Sequence, residues 1–384
     1  MEESGKICNI VSREYPLFFP HPGWSEQKPE DWFAQSMEGM KELTKDIDRA
    51  QVAGIGFGGQ MHGLVTLDKD DNVIRPAILW NDGRTGEETE YLNTVIGKDK
   101  LSQYTANIAF AGFTAPKILW MQKNEPENFK KVVKIMLPKD YLAYRLSGSF
   151  CTDVSDASGM QLLDVPKRQW SDELLEILDI DKSLLAKVYE SPEVTGTILP
   201  EIAAKTGLST STVVVGGAGD NAAAAVGTGV VEDGKAFTTI GTSGVVFAHS
   251  NNISIDPKGR VHTFCCAVPG AWHVMGVTQA AGYSLAWFQE NIGTEYARKA
   301  KEQGCGAFDL INADVQKTPI GANRLIYLPY LNGERTPHVD PNCRGVFFGL
   351  SSMHTTADMA RAVMEGIQYS LTDCNDIIKE MGIE

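Results

Sequence analysis

Two periods alternate along the apolar positions of this chain. Short runs rich in β-branched residues predict strands at 64–67, 77–79, 213–215, 236–240, 244–247, 263–267, 273–277 and 324–330. A further strand at 52–57 runs into a glycine-rich turn, and 7–15 predicts one that begins almost at once. Helical spacing marks 29–49, where Trp32, Phe33, Met37, Met40 and Leu43 share a face, and also 114–124, 170–185 and 280–292. Residues 196–207 carry a turn and a short helix. Thr355 with Asp358 makes a capping-box start for a long amphipathic helix carrying Met359, Val363, Ile367, Leu371 and Ile378. The second half therefore repeats the first in outline. Lys117 and the run 137–141 read as scaffold, helix starts with charged surface. The run 152–159 reads as a polar, turn-rich loop that is either solvated or lines a ligand.

The stretch Val213 to Gly229, VVVGGAGDNAAAAVGTG, organises the rest. Three valines make a buried strand, Gly216, Gly217 and Gly219 a sharp turn, and the alanines a helix. Asp220 thus stands where a strand gives way to a helix N-terminus, whose N–H groups and dipole are expected to keep it ionised. Small neighbours admit another molecule closely. A plain N-cap would also place an Asp here, but three glycines exceed what a cap needs.

Composition sets limits on partners. A chain of 384 residues with 43% hydrophobic and 22% charged residues is an ordinary globular protein long enough for two domains. The net charge of −14 argues against nucleic acid or an anionic membrane, though not against a phosphorylated ligand. No apolar run approaches a membrane span. The seven scattered cysteines lack metal-ligand spacing and fit reduced thiols in the cytoplasm.

Two glycine-rich turns carry candidate chemistry. Gln60, His62, Asn81, Asp82 and Arg84 can supply the donors and acceptors that a polyol needs, although a histidine beside glycine is also a common structural hydrogen-bonder. GTSG at 241–244 is a hairpin signature, and its N–H and O–H groups can alternatively face phosphates.

Taken together, GGQMHG at 58–63, ILWNDGRT at 78–85, GFTAPKILW at 112–120, LPKDYLAYRLSG at 137–148, TDVSDASG at 152–159, GGAGDNAAAAVGTG at 216–229, IGTSGVV at 240–246 and YLPYLNGERTPH at 327–338 resemble the xylulokinase branch of the FGGY carbohydrate kinases. The resemblance implies an α/β chain of two actin-like, ribonuclease-H-type domains around a cleft, a sugar-binding one over 1–231 and a nucleotide-side one over 236–384. It implies ATP-dependent phosphorylation of D-xylulose to D-xylulose 5-phosphate, with ATP and Mg²⁺ and with Asp220 as the base. Met61 and His62 contact the ketose, Gln60 and Asn221 join the sugar site, and Gly241, Thr242 and Ser243 match a phosphate-binding turn. A non-catalytic sugar-binding homologue, or a kinase of another ketose or sugar acid, is the alternative. A homodimer is left open.

The family opens with a strand and an Asp-x-Gly-Thr turn for Mg²⁺, and closes on a glycine-rich adenosine turn. This sequence begins beyond the first and stops before the second, so the resemblance implies a fragment of a longer product. Lacking a central strand, such a fragment is expected to be unstable when made alone.

Overall fold

The computed structural model describes residues 5–383, which divide into two units. The first runs through Val231 and adds Asn251–Ile253 and Phe264–Trp272; the second has Glu232–Ser250, Ser254–Thr263 and His273 onward.

In the first unit Val213–Val215 pairs parallel with Gly54–Ile55 and antiparallel with Val194–Thr197. Its valines suit a half-buried pleated surface, and Val214 is fully covered. Both parallel strands then bend and pair again, Ala218–Gly219 beside Gly58–Gly59. The bend needs Gly217: its φ is +72°, and a Cβ there would stand 2.7 Å from Phe57 O. The helix Asp220–Thr228 follows and ends on Gly229 in the left-handed region, a common C-terminal stop. The helix Pro29–Leu43 starts on a proline, carries Glu30 and Asp31 in its first turn, and buries Trp32 and Met37.

Several sequence expectations are corrected here. Residues 7–15 form no strand; Ile7 and Ile10 are exposed, and the first pairing is the isolated bridge between Phe18 and Glu26. The first helix stops at Leu43 rather than running to 49, because Asp48 caps a separate turn, Arg49–Gln51. The 170–185 stretch breaks into the helix Asp172–Ile177 and the turn Lys182–Leu184, with Asp179 at φ +51° and Asp181 capping the second piece. The 152–159 run is no solvated loop. Cys151–Asp153 is a strand parallel to Lys187–Tyr189, and it leads into the short helix Val154–Ala157, all of it buried. Lys117, Lys139 and Asp140 are buried too, not charged surface.

The strands Ala236–Ile240, Gly244–Ser250, Trp272–Thr278 and His262–Cys265 follow one another in that order in a four-stranded sheet, and all of their residues but Phe264, Cys265 and Trp272 belong to the second unit. The first two form the predicted hairpin, Ile240 opposite Gly244. The helix Thr356–Glu380 opens on the Thr355–Asp358 capping box and lays Val363, Ile367, Leu371 and Cys374 into the core with Val246, Val274, Phe288 and Tyr327. The helices Thr294–Gln303 and Ala307–Val315 and the strand Val346–Phe348 lie outside the predicted set. Among the described residues no helix is long and apolar enough to cross a membrane.

Candidate active site

Parallel pairing of Gly58–Gly59 with Ala218–Gly219 brings two motifs from distant parts of the chain to one place. Gln60, Met61 and His62 leave the end of one strand, and Asp220 and Asn221 leave the same end of its neighbour. In open α/β sheets this carboxyl end is where ligands bind.

Met61 is buried and fills the gap between two glycines. A Cβ on Gly219 would stand 2.9 Å from its Cγ, and one on Gly159 would stand 2.5 Å from the His62 ring. The close approach of these backbones therefore fixes both side chains. His62 itself sits at φ +68°, uncommon for a residue with a side chain. Its carbonyl accepts from Thr114 Oγ1 at 3.1 Å and Lys117 Nζ at 2.8 Å. Its Nδ1 lies 2.8 Å from Gly159 O. A carbonyl only accepts, so Nδ1 carries the proton, and in the neutral ring Nε2 is the acceptor nitrogen. Phe113 lies against the ring at 4.8 Å between centroids.

Lys117 is fully covered, and burial drives its ammonium well below lysine's usual range. Its other acceptor is Gly112 O at 2.7 Å. Two carbonyls thus receive its N–H bonds.

Gln60 turns toward Gln27, donating to its Oε1 at 3.1 Å. It lines a cavity of about 460 Å³ with Trp32, Gly59 and Lys139. Asp82 and Arg84 are spent on each other. Arg84 meets Asp82 at 2.7 Å and Glu26 at 2.8 Å beneath the Trp24 ring, and Asp82 also accepts from Ser25 N. Both side chains are covered, so they serve as scaffold, and the expectation that they offer polar groups to a polyol does not hold.

Asp220 is the first residue of its helix, and Gly219 holds the N-cap position. Its Oδ1 accepts from the N–H and the amide of Asn221, at 2.9 and 3.2 Å, and not from a residue a turn ahead as a cap would. The residue is exposed, yet the protein around the carboxylate desolvates it more than these bonds stabilise it. Its pKa is raised above the ordinary aspartate value, with burial as the largest cause and the Asn221 bonds opposing it. A raised pKa makes a better proton acceptor.

Gly241, Thr242 and Ser243 form the hairpin turn of the second unit. Gly241 O and Thr242 O accept from Gly282 N and Tyr283 N, at 2.8 and 3.2 Å, at the start of the helix Gly282–Asn291. Gly241 and Thr242 are exposed.

Residues 1–227 match the N-terminal domain of the FGGY family of carbohydrate kinases, and residues 236–384 match its C-terminal domain. The chain is 42% identical to the xylulose kinase of Escherichia coli K12, over all of its own length and 76% of that protein's. Among solved structures it superposes with a TM-score of 0.92 on a xyloylose kinase from Brucella ovis, at 36% identity over 100% of this chain and 77% of that one. It superposes at 0.90 on a gluconate kinase from Lactobacillus acidophilus, at 29% identity over 99% and 75%. Its fold is that of the two-domain, actin-like sugar kinases, and the chain belongs to the FGGY family of carbohydrate kinases.

Proposed function

We propose that the protein phosphorylates D-xylulose to D-xylulose 5-phosphate with ATP, and that Asp220 takes the proton from the attacking hydroxyl. The observation that carries this reading is the arrival of Asp220 and the Met61–His62 pair at the same end of two paired strands. Phosphoryl transfer asks the protein mainly to position reactants and stabilise charge, with one carboxylate receiving the hydroxyl proton as the oxygen bonds to phosphorus. His62 Nε2 would accept from a sugar hydroxyl, with Gln60 and Asn221 as further polar contacts. In the turn Gly241–Ser243, Thr242 and Ser243 would offer N–H and O–H groups to ATP phosphates, and Gly241, whose own N–H is taken by Ser243 O, would leave the space for them.

Mg²⁺ would come in on the nucleotide. Among the described residues no group of three or more His, Cys, Asp or Glu is placed to hold a metal ion. An ion carried by phosphates and water needs only one or two carboxylates. Scattered free thiols, four of them buried, support a cytoplasmic location.

The gluconate kinase matches the fold about as well as several xylulose kinases do, so the choice of sugar rests on the nearer sequence relatives. The test uses protein expressed from its full reading frame, with ADP release measured over xylulose, gluconate, ribulose and glycerol. Xylulose should lead. Asp220→Asn should lower its turnover on the order of 10²–10⁴-fold while sugar affinity stays near that of the parent. Retention of more than about a tenth of turnover would remove Asp220 from the role of base.

A further inference from the structure

Beneath the turn that carries Asp220 lies a buried cluster of one lysine and three aspartates, Lys139, Asp140, Asp153 and Asp156. Lys139 is the side chain that would meet a Cβ on Gly59, so it runs directly under the paired glycine strands. Its Nζ lies 2.6 Å from Asp140 Oδ1, 2.8 Å from Asp153 Oδ1 and 3.2 Å from Gly216 O. It donates hydrogen bonds to Asp140 and Gly216 and meets Asp153 as an ion pair. Asp156 is left at 3.8 Å, outside hydrogen-bond range, with neither oxygen bonded. Burial and the neighbouring carboxylates hold its pKa well above the usual range, against the pull of Lys139.

A chain of bonds leads from this lysine to Asp220. Asp153 Oδ2 accepts the Ser155 hydroxyl at 2.5 Å, and Ser155 Oγ accepts Gly219 N at 3.1 Å. Gly219 is the residue before Asp220. Gly216, held directly by Lys139, opens the same turn, so both of its ends are tied to one buried cation. Ser191 Oγ also donates to Asp153 Oδ2, at 2.7 Å, but no bond from that hydroxyl reaches Gly219.

We propose that Lys139, acting through Asp153 and Ser155, is the positioning residue that aims the Asp220 carboxylate. This rests on Asp220 being the base. All three are buried, and they act by fixing the backbone on which the base stands, where a small misplacement lowers turnover steeply.

Ser155 and Ser191 separate aim from general support, because each gives Asp153 one hydroxyl and only Ser155 passes the link on. In full-reading-frame protein, Ser155→Ala should lower kcat by roughly 10- to 100-fold with the KM for D-xylulose within about two-fold. It should also shift the acid limb of the kcat–pH profile. Ser191→Ala, at a similar loss of Tm, should keep kcat within about three-fold and leave that limb in place. Equal losses of kcat in the two variants, or parental kcat in Ser155→Ala, would overturn the inference. Asp220→Asn, measured beside them, tells the two failures apart. If it is dead while Ser155→Ala is fully active, only the positioning chain falls. If it is active, the base assignment falls and takes the inference with it.

Discussion

The two glycine-rich turns, one in each unit, are held by opposite means. The 216–219 turn is buried throughout, and side chains grip both ends: Lys139 at Gly216 O and Ser155 at Gly219 N. Backbone bonds add to the grip, from Gly217 N to Ser191 O at 3.0 Å and Ala218 N to Phe57 O at 2.8 Å. The 241–243 turn stands exposed and is held chiefly by backbone, Gly241 N to Ser243 O at 2.9 Å and the two helix N–H groups already described. Its side-chain tie, Ser243 Oγ to Gln279 O, is long at 3.4 Å. The difference follows from what each turn presents. A side chain that must be aimed needs directional, charge-assisted bonds behind it. A turn that offers its own N–H groups needs a fixed backbone shape and open space in front.

The sharpest way to break this comparison is to remove the cation. Lys139→Met leaves Asp140 and Asp153 buried without a counter-ion, and breaking such a pair typically costs about 3–5 kcal/mol. The first unit's melting temperature should fall by roughly 6–20 °C at neutral pH. A loss under about 1 kcal/mol in chemical denaturation would show that the cluster does not brace the turn, and the two turns would then be held alike.

The cluster also marks what the sequence made legible. Strands, glycine turns and the helix after Asp220 were readable because valine runs, glycine triplets and alanine runs have local meaning. So was the Thr355–Asp358 start, which is a local bond pattern. Lys117 and Lys139 read as surface because lysine usually is. Their helical spacing carried the contrary signal: Thr114, Lys117, Ile118 and Met121 share one face, as do Lys139, Leu142, Ala143 and Leu146. A lysine on an apolar stripe points to a buried cation or amine. Its partners, Gly112 and His62 for one and Asp153 and Gly216 for the other, come largely from remote segments and need the fold to be seen. The polar run 152–159 misleads for the same reason: Asp153, Ser155 and Ser158 bond inside the protein rather than to water, and Asp156 is buried with neither oxygen bonded.

Gly241→Ala sharpens the comparison from the other side. A Cβ there would meet only Ser243 O, at an ordinary 3.8 Å, so Tm should move by no more than about 1 °C. The added methyl occupies space through which a phosphate would approach. KM for ATP should rise by about five-fold, the equivalent of about 1 kcal/mol for one weakened hydrogen bond, and affinity for D-xylulose should not change. An unchanged KM for ATP would take this turn out of nucleotide binding, and a large fall in Tm would show that its shape depends on packing after all.

The smallest effect concerns Glu334, a buried carboxylate linked to the second turn through Gln279. Its Oε1 accepts from Gln279 N at 2.8 Å and Arg335 N at 2.7 Å, while Oε2 is buried without a hydrogen-bond partner. Burial moves its pKa from 4.5 up to about 7, with the Arg335 charge and the two N–H bonds opposing the rise. Because the folded protein holds this proton more tightly than the unfolded chain, the sign is opposite to that of a salt-bridged aspartate. The contribution to stability is largest below about pH 4.5, declines as pH rises through about 7, and is flat above. Glu334→Gln keeps an oxygen for both N–H groups and removes the ionisation. The Tm difference between variant and parent should therefore be near zero at pH 5 and favour the variant by a few degrees at pH 8, at roughly 2–4 °C per kcal/mol recovered. Other titrating groups cancel in that difference. A difference that stays level from pH 5 to pH 8 would mean that Glu334 does not ionise in this window. A variant less stable than the parent at pH 8 would make Glu334 a charged brace like Lys139, and the contrast between the two turns would narrow to one of degree.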